Sequence, residues 1–297
     1  MFSSSGTFKM IVLRLMNKGA AVLKYALLSR GDEISNRLAD RFHQLASEHQ
    51  LEHNENNPTI VVSIGGDGTM LQAFHRYIDR LDSAAFVGIH TGHLGFYADW
   101  QANELDTLVK LMAEHQSTEA IRNRSVKYPL IKLHIRLEDG SSQSYVALNE
   151  FTLKGIDGTV VAQIDINDER FEMFRGDGIC ISTPSGSTAY NKSVGGAMVH
   201  PSIESIQMAE IASINNRVFR TLGSSIVLPK HHHIDIYSRK QQRLLLTIDH
   251  INIPMDNLSS VRCCVDPNQK VTFVRYRPFP FWSRVRTAFI GQDDSNL

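Results

Sequence analysis

The segment Gly65-Gly66-Asp67-Gly68-Thr69 combines residues suited to holding a phosphate with one that would repel it. It follows the apolar run 59–64 and precedes a helical pattern over 70–77, so it lies at the carboxyl end of a predicted strand, where open α/β sheets bind ligands. Glycines let the backbone approach a ligand closely, and the N–H groups at a helix start attract anions. A carboxylate here needs another purpose, such as accepting the proton of a hydroxyl nucleophile or holding a metal. The alternative is a glycine turn in which Asp67 caps the helix.

A second polar segment runs from Arg175 to Pro201 and reads RGDGICISTPSGSTAYNKSVGGAMVHP. It contains too many small hydroxyl residues and glycines for a core, and it includes the apolar strand pattern 179–181. This composition favours hydrogen bonds to a polar ligand, and Tyr190 offers an aromatic face to a base. A surface loop is the alternative.

Asn149 and Glu150 follow the predicted strand 143–148. An asparagine can pair with the edge of an adenine, and a glutamate can bind ribose hydroxyls or a metal, although this pair alone is more typical of a turn. The sequence has neither the GxxxxGK[ST] motif of P-loop proteins nor a GxGxxG motif after a strand. A nucleotide would therefore have to bind in another way.

Three other groups of residues could carry chemistry, and each has a simpler interpretation. The histidines at 231–233 precede a strand in which neighbouring side chains point to opposite faces, which favours a solvated turn over a metal site. The three cysteines form no CxxC pair, and we interpret them as small hydrophobic residues in a reducing compartment. Arg284 and Arg286, close to Trp282, fit either a surface patch or an oligomer contact.

The elements that must position these motifs alternate between strand and helix up to about residue 120. This pattern predicts a parallel sheet with helices on its faces. Asp32 is placed to cap the first helix. The apolar face of that helix consists of Ile34, Leu38, Phe42 and Leu45. The predicted elements are the strands 10–15, 59–64 and 85–90 and the helices 32–48, 70–77 and 104–114.

From about residue 125 the pattern favours antiparallel strands. Turn residues separate the runs 130–137 and 143–148, and again 160–167 and 171–175, which predicts two hairpins. A β-rich second domain follows from this pattern. Its further predicted elements are the strands 225–228, 234–237, 244–248 and 270–276 and one helix over 205–212.

The composition excludes several classes of protein. Apolar residues make up 42% of the 297 residues and charged residues 21%, which is typical of a folded globular chain. Lys plus Arg equals Asp plus Glu at 31 each, so no net charge attracts nucleic acid or anionic lipid. No run of about 18 apolar residues occurs, and the N-terminus lacks a signal-peptide pattern. We therefore expect a cytoplasmic protein without nucleic-acid or membrane partners.

Taken together, the motifs resemble those of the NAD kinase family. GGDGT at 65–69, TGHLGF at 91–96, NE at 149–150 and GDG…TPSGSTAYNKSVGG at 176–196 occur in that family's order and spacing. RPFPFWSRVRTAFIG near the C-terminus is similar to its closing segment. GGDGT alone is also found in diacylglycerol and sphingosine kinases and, in similar form, in related phosphofructokinases. The TPSGSTAY segment together with NE selects NAD kinase.

This resemblance implies an α/β N-terminal domain with a parallel sheet over 1–122 and a β-rich, β-sandwich-like domain over 123–275. A C-terminal segment, 276–297, would pack back on the N-terminal domain. The active site would lie between the domains of a homodimer or homotetramer. Its substrates would be NAD and ATP, with Mg²⁺ or another divalent cation held mainly through the phosphate donor and no metal ligands assigned to the protein.

The resemblance also implies roles for individual residues. Asp67 matches the catalytic aspartate, and Asp177 matches an acidic contact supplied across a subunit interface. His250 stands where many members have glycine, and it either lines the pocket or is an incidental turn residue. The phosphate-donor loop would consist of Gly65, Gly66, Gly68 and Thr69. The residues expected to bind NAD are Gly68, Phe96, Asn149, Glu150, Arg175, Asp177, Ser185, Thr188, Ala189, Tyr190, Asn191, Lys192, Ser193 and His250.

The predicted function is therefore phosphorylation of the 2′-hydroxyl of the adenosine ribose of NAD to give NADP. Asp67 would accept the hydroxyl proton. Two alternatives are a lipid kinase with the same GGDGT fold, which needs an apolar groove or membrane-binding surface, and a non-catalytic sensor that binds NAD without turnover.

Overall fold

The computed structural model of the protein describes residues 22–92 and 95–291. The strand predicted over 10–15 and the polar tail from Asp293 lie outside these residues. Within the described ranges, none of the helices is long and apolar enough to cross a lipid bilayer.

The first half forms a parallel sheet with helices on both faces, as the alternating pattern predicts. The Asp32 carboxylate caps the first helix by accepting the Ser35 N–H at 3.1 Å, which confirms the predicted start. The strands are β1 Lys24–Ser29, β2 Glu52–His53, β3 Ile60–Gly65, β4 Ala85–His90 and β5 Trp100–Gln101. The helices are α1 Glu33–Glu48, α2 Asp67–Arg76, α3 Leu105–Glu114 and α4 Thr118–Asn123, with short 3₁₀ helices at Ile78–Arg80 and Ala102–Glu104.

The second half consists of antiparallel strands, as predicted. The strands are β6 Ser125–Leu137, β7 Ser142–Ala147, β8 Glu150–Gly155, β9 Val160–Ile166, β10 Glu169–Gly176, β11 Gly178–Ser182, β12 Ser205–Ile211, β13 Ile226–Pro229, β14 His233–Ser238, β15 Leu244–Ile248, β16 Ile251–Met255 and β17 Leu258–Val274. The helices are the one-turn α5 Tyr190–Ser193, which follows a 3₁₀ helix at Ser185–Thr188, and α6 Phe281–Phe289.

Three apolar clusters hold these layers together. The six-stranded sheet β13-β12-β11-β8-β15-β16 packs on the antiparallel part of the larger sheet, and fully buried side chains such as Phe151, Phe174 and Ile236 fill the space between them. In the first half, α1 and α3 cover one face of the parallel sheet and α2 covers the other. Strands β3 and β4 are buried along their whole length, which matches their continuous apolar sequence.

The two halves share one sheet. Strand β17 pairs antiparallel with β6 from Leu258 to Val274, and its end also pairs in parallel with β4 through Phe273 and Phe86. The larger sheet therefore passes without a break from the parallel half into the antiparallel half.

Two predictions are wrong. Residues 205–212 form no helix: strand β12 lies between β11 and β13, and hydrogen bonding on both edges overrides the helix propensity of Met208 and Ala209. Ile34, in the first turn of α1, is 57% exposed and is not part of the buried face of this helix, which includes Ala39, Phe42 and Leu45. The pattern also missed the strands β1, β8 and β16 and the helix α6.

Candidate functional site

The GGDGT turn joins the end of β3 to the start of α2. Gly66 is the N-cap of α2 and Asp67 its first residue. A Cβ atom on Gly65 would collide with the Thr69 hydroxyl, whereas the space beside Gly66 and Gly68 is open for at least 4 Å. The N–H groups of a first helical turn have no acceptor within the helix. The Thr69 N–H already donates to the Gly66 carbonyl at 3.0 Å, so the donors that remain for a phosphate are the N–H groups of Gly66, Asp67 and Gly68.

The Asp67 side chain does not cap its own helix. Its two carboxylate oxygens accept the N–H groups of Phe96 and Tyr97, at 2.9 and 3.0 Å. A Cβ atom on Gly95 would overlap the carboxylate, so the loop after β4 approaches Asp67 this closely because residue 95 is glycine. Each oxygen keeps a second lone pair, so the carboxylate can still accept a proton or contact a cation.

Tyr97 connects this carboxylate to the second half. Its N–H donates to Asp67, and its hydroxyl donates to the Asn149 Oδ1 atom at 2.5 Å. The side chain is buried, and desolvation raises the pKa of the Tyr97 hydroxyl well above its usual value, so it remains a neutral donor. Asp67 and Asn149 are therefore both hydrogen-bonded to Tyr97, which fixes their separation.

The Asn149 main chain is fixed on several sides. The Asp249 carboxylate accepts its N–H at 2.7 Å, and its carbonyl accepts the Thr183 N–H at 2.8 Å. Gly186 lies so close to the Asn149 backbone that a Cβ atom there would overlap it. The TPSG part of the polar segment, 183–186, is therefore packed directly on the NE pair, as the resemblance implies for one shared site.

Glu150 is a buried acid beside this asparagine. It is 8% exposed, and its Oε2 atom has no hydrogen-bond partner among the described residues. Burial, with a smaller contribution from the nearby Asp249 carboxylate, raises the pKa of Glu150 to about 8. At neutral pH the side chain is therefore mainly protonated and can donate a hydrogen bond.

Tyr190 lies at the start of the one-turn helix α5. The Lys154 ammonium lies 4.2 Å from the centre of its ring, on one face. This leaves the other face as the candidate surface for a base. Lys154 was not predicted, but it is four residues after Glu150 on strand β8 and so shares its face.

The remaining residues of the polar segment fall into two groups. Ser185 and Thr188 are buried next to the NE pair, and the Ser185 hydroxyl donates to the Leu148 carbonyl at 3.3 Å. The half-buried Ala189 and the exposed Lys192 and Ser193 follow on the solvent side.

The structure assigns Asn191 a different place from the one implied for an NAD ligand. The residue is fully buried, and its amide donates to the carbonyls of Ser187 and Ala197, both at 3.4 Å. A Cβ atom on Gly196 would overlap this amide. Asn191 therefore holds the loop 187–197 together and is not accessible to a ligand.

Arg175 and Asp177 are not close to the NE pair. Strand β11 pairs with β8 so that Ser182 is opposite Glu150 and Gly178 is opposite Lys154. Four residues of strand separate these positions, which corresponds to roughly 13 Å. Asp177 lies just beyond the far end, and Arg175 there packs over the Phe219 ring at 5.3 Å.

The C-terminal helix α6 supports the loop that contacts Asp67. Arg284 is 7% exposed and donates to the carbonyls of Gly95 and Ala98, at 2.8 and 2.9 Å, and to the Asp99 carboxylate at 2.6 Å. Neither interpretation of this arginine from the sequence was right, because it is a buried link inside the chain. Phe96 stacks on Phe289 of the same helix, with ring centres 5.8 Å apart.

His250 is exposed on the turn between β15 and β16, and its ring meets the His75 ring edge-on at 5.2 Å. Desolvation, followed by the nearby His75, lowers the pKa of His250 below its usual value. The ring is therefore mainly neutral at pH 7. The contact with His75 places His250 beside the residues that hold Asn149 and Glu150.

One cluster in residues 22–92 and 95–291 has the composition of a metal site, and it lies away from these residues. Asp168, His233 and Asp235 bring their ligand atoms within 4.8 Å of one another. The Arg262 guanidinium donates to both carboxylates, at 2.6 and 2.7 Å. The single positive charge of Arg262 therefore offsets one of the two carboxylate charges in this cluster. His231 and His232 take no part in it and instead contact each other edge-on at 4.6 Å.

Comparison with known proteins agrees with the motifs. Residues 17–117 match the ATP-NAD kinase N-terminal domain, and residues 148–275 match the ATP-NAD kinase C-terminal domain. NAD kinase 1 of Bacillus subtilis is 50% identical over 273 residues, which cover 92% of this chain and 100% of that protein. NAD kinase of Geobacillus stearothermophilus is 50% identical over 277 residues, which cover 93% and 100%.

Two solved structures show the same fold at low sequence identity. Yeast NADH kinase in complex with NADH superposes with a TM-score of 0.75 at 19% identity, covering 93% of this chain and 89% of that one. An NAD kinase from Archaeoglobus fulgidus in complex with ATP gives a TM-score of 0.68 at 20% identity, covering 85% and 94%. With both domain matches and relatives of about 50% identity over nearly the whole chain, the protein belongs to the NAD kinase family.

Proposed function

We propose that this enzyme transfers the γ-phosphoryl group of ATP to the 2′-hydroxyl of the adenosine ribose of NAD, which gives NADP. The observation that carries the proposal is the chain of contacts from Asp67 through Tyr97 to Asn149. It holds a carboxylate that can take a proton at a fixed distance from an amide that can recognise a nucleobase. The relatives described above are NAD kinases, and they give no support to the lipid-kinase and sensor alternatives.

On the acceptor side, Asn149 recognises the adenine edge with its amide, and Tyr190 stacks on the base with the face opposite Lys154. Glu150, protonated at neutral pH, donates to a ribose hydroxyl. Nearby positions complete the pocket. They are Phe96, Ser185, Thr188, Ala189, Lys192, Ser193 and His250.

On the donor side, the phosphates lie against the turn formed by Gly65, Gly66, Gly68 and Thr69, where the space beside Gly66 and Gly68 is open. Asp67 accepts the proton of the 2′-hydroxyl while the ribose 2′-oxygen forms the bond to the γ-phosphorus. The bond from that phosphorus to the β,γ-bridging oxygen breaks, and ADP leaves with the electron pair.

Mg²⁺ enters as part of the substrate MgATP. The surroundings of Asp67 fit this arrangement, since both of its oxygens accept backbone N–H groups and Asp67 belongs to no group of three possible metal ligands among the described residues. The protein therefore offers the Mg²⁺ of MgATP a lone pair of Asp67 and not a set of several carboxylate ligands. The ion neutralises the charge that develops on the phosphates.

The assembled site needs a second subunit. Asp177 and Arg175 lie beyond the far end of β11, roughly 13 Å or more along the sheet from the Asn149-Glu150 pair of the same chain. Apolar side chains are exposed on the adjoining loop, with Ile214 36%, Leu222 48% and Val218 77% accessible. A partner that covers this surface brings its own Asp177 to the site, in a homodimer or homotetramer.

The function is tested by incubating the full chain with NAD, ATP and Mg²⁺. We expect NADP and ADP in equal amounts. Phosphorylation of a diacylglycerol or sphingoid base without NADP formation would show a lipid kinase, and NAD binding without turnover would show a sensor.

Mixed Asp67→Asn and Asp177→Asn subunits test the shared site. Subunit exchange, verified by mass, should restore part of the activity. Exchange without any gain in activity would show that Asp177 does not contribute to the partner's site.

A further inference from the structure

Asp249 orients the main chain that carries the NE pair. Its side chain is fully buried, and its carboxylate accepts the N–H groups of Leu148, Asn149 and Glu150 at 3.0, 2.7 and 3.3 Å. Asp249 itself has a φ of 53°, in the left-handed region, on the turn between β15 and β16. Three consecutive peptide groups therefore take their orientation from one carboxylate.

The fourth hydrogen bond to this carboxylate comes from the other half of the molecule. The His75 Nε2 atom lies 2.7 Å from Asp249 Oδ2, and the His75 side chain is 14% exposed. An ionised carboxylate only accepts, so the ring donates the proton from Nε2. Edge-on contacts with Phe74 and His250, at 4.9 and 5.2 Å, fix the plane of the ring.

His75 lies on the same helix as Asp67. Helix α2 begins at Asp67 and runs to Arg76, so the two residues are eight positions apart, or about 12 Å along the axis. The apolar side of this helix is buried against the sheet through Met70, Ala73 and Phe74. The residue that takes the proton and the residue that holds Asp249 are therefore attached to one rigid body.

We propose that His75 is a positioning residue for the phosphoryl acceptor. By holding Asp249, it sets the place of the Asn149-Glu150 peptide relative to the GGDGT turn at the other end of α2, and so the place of the NAD ribose relative to Asp67. It touches neither substrate nor a reacting atom. The inference rests on the proposed function, because it takes Asn149 and Glu150 as the NAD-binding pair and Asp67 as the base.

The test compares three variants of the full chain in steady-state kinetics and calorimetry. His75→Ala removes the donor, and His75→Gln replaces it with an amide N–H of similar reach. Gln72→Ala is the matched control, because Gln72 is an exposed residue of the same helix and is not among the described residues that donate to the Asp249 carboxylate. Loss of a donor to a buried carboxylate should lower kcat/KM for NAD by about ten- to a hundredfold in His75→Ala.

The pattern of changes separates positioning from general damage. We expect KM for MgATP to change less than twofold in His75→Ala, His75→Gln to recover most of the activity, and Gln72→Ala to match the wild type. Adding His75→Ala to Asp249→Asn should lower kcat/KM for NAD only slightly further, because both substitutions act through the same carboxylate.

Two results would overturn the inference: an unchanged kcat/KM for NAD in folded His75→Ala, or equal losses toward NAD and MgATP that His75→Gln does not restore. If His75→Ala fails to fold, the comparison of His75→Gln with Gln72→Ala decides in the same way, since Gln should remain close to the control. A wild-type chain that forms no NADP would instead overturn the proposed function.

Discussion

Two acidic regions of this molecule differ in how the negative charge of their carboxyl groups is stabilised. Around Asp67 and Asp249, backbone N–H groups approach both oxygens of each carboxylate. Glu172 on β10 and Glu210 on β12 instead face each other, and no Lys or Arg within residues 22–92 and 95–291 forms an ion pair with either. The first region orients peptide groups of the site, whereas the second joins two strands through a pair of like groups.

The glutamate pair also holds a loop. Glu172 Oε2 accepts the Leu222 N–H at 2.9 Å, and Glu210 Oε1 accepts the Gly223 N–H at 3.0 Å. The second oxygen of each is buried without a partner among the described residues. Burial, with a further contribution from Glu210, raises the pKa of Glu172 to about 7. Backbone donors thus stabilise the charged form of a carboxylate, whereas burial beside a second carboxyl group favours the protonated form.

The largest expected effect is that of Asp67→Asn. The variant keeps the size of the side chain but loses the basic oxygen, so kcat should fall by roughly 10² to 10⁴ with little change in NAD affinity. The side-chain NH₂ group of the new asparagine also takes the place of one carboxylate oxygen that accepts the N–H of Phe96 or Tyr97. Loss of that hydrogen bond should loosen the loop after β4. Steady-state kinetics and calorimetry measure both quantities, and full turnover would show that this carboxylate only orients the backbone.

Arg284→Leu should mainly affect stability. It leaves two buried carbonyls without a donor and removes one of the two arginines bound to Asp99, so the free energy of unfolding should fall by about 3 to 5 kcal/mol. Arg243→Leu is the control, because its ion pairs with Asp157 and Asp256 are exposed and should be worth about 0 to 1 kcal/mol. Similar losses in denaturant titrations of both variants would contradict a special contribution of the buried arginine.

Asn149→Ala should weaken NAD binding by about ten- to a hundredfold, since it removes a buried hydrogen-bonding partner worth ~1 to 3 kcal/mol. Tyr190→Ala should do the same through lost stacking. Calorimetry with NAD measures the dissociation constant. Wild-type affinity in either variant would place that residue outside the pocket.

The smallest expected effect is the pH dependence contributed by Glu172. Its pKa is about 7 in the folded protein and near 4.5 in the unfolded chain, so the folded state binds the proton more tightly. This stabilisation is complete below pH 4.5 and is lost as the pH rises to about 7, with an amplitude of about 1 to 3 kcal/mol. Glu172→Gln should remove this part of the slope in unfolding curves measured between pH 5 and 8. An unchanged slope would mean that Glu172 binds the proton no more tightly in the folded protein than in the unfolded chain.

Local patterns in the sequence were sufficient for much of the fold. The strands over 85–90 and 244–248 have the predicted bounds, because continuous apolar runs between turn residues leave little choice of element. Residues 205–212 were mispredicted, since only the neighbouring strands β11 and β13 determine their structure. The motifs were readable for the same reason as the strands: each is a local string of residues.

The supports of the site could not be read in this way. Tyr97 meets Asn149 across 52 positions, His75 meets Asp249 across 174, and Arg284 meets Asp99 across 185. Such contacts leave no periodicity or spacing in the sequence, because they exist only after the two halves have packed. One signal was available for Tyr97, which directly follows the TGHLGF motif.

The shared strand β17 also determines how the molecule can move. A kinase with two separate lobes can open its cleft by bending a linker, whereas here β6 and β17 run side by side through both halves with the register interrupted between Val265 and Lys270. This irregularity lies between the stretch of β17 that pairs with β14 and the end that pairs with β4. Any bending of one half against the other is therefore concentrated at residues 265–270, while the paired stretches on either side move as stiff units.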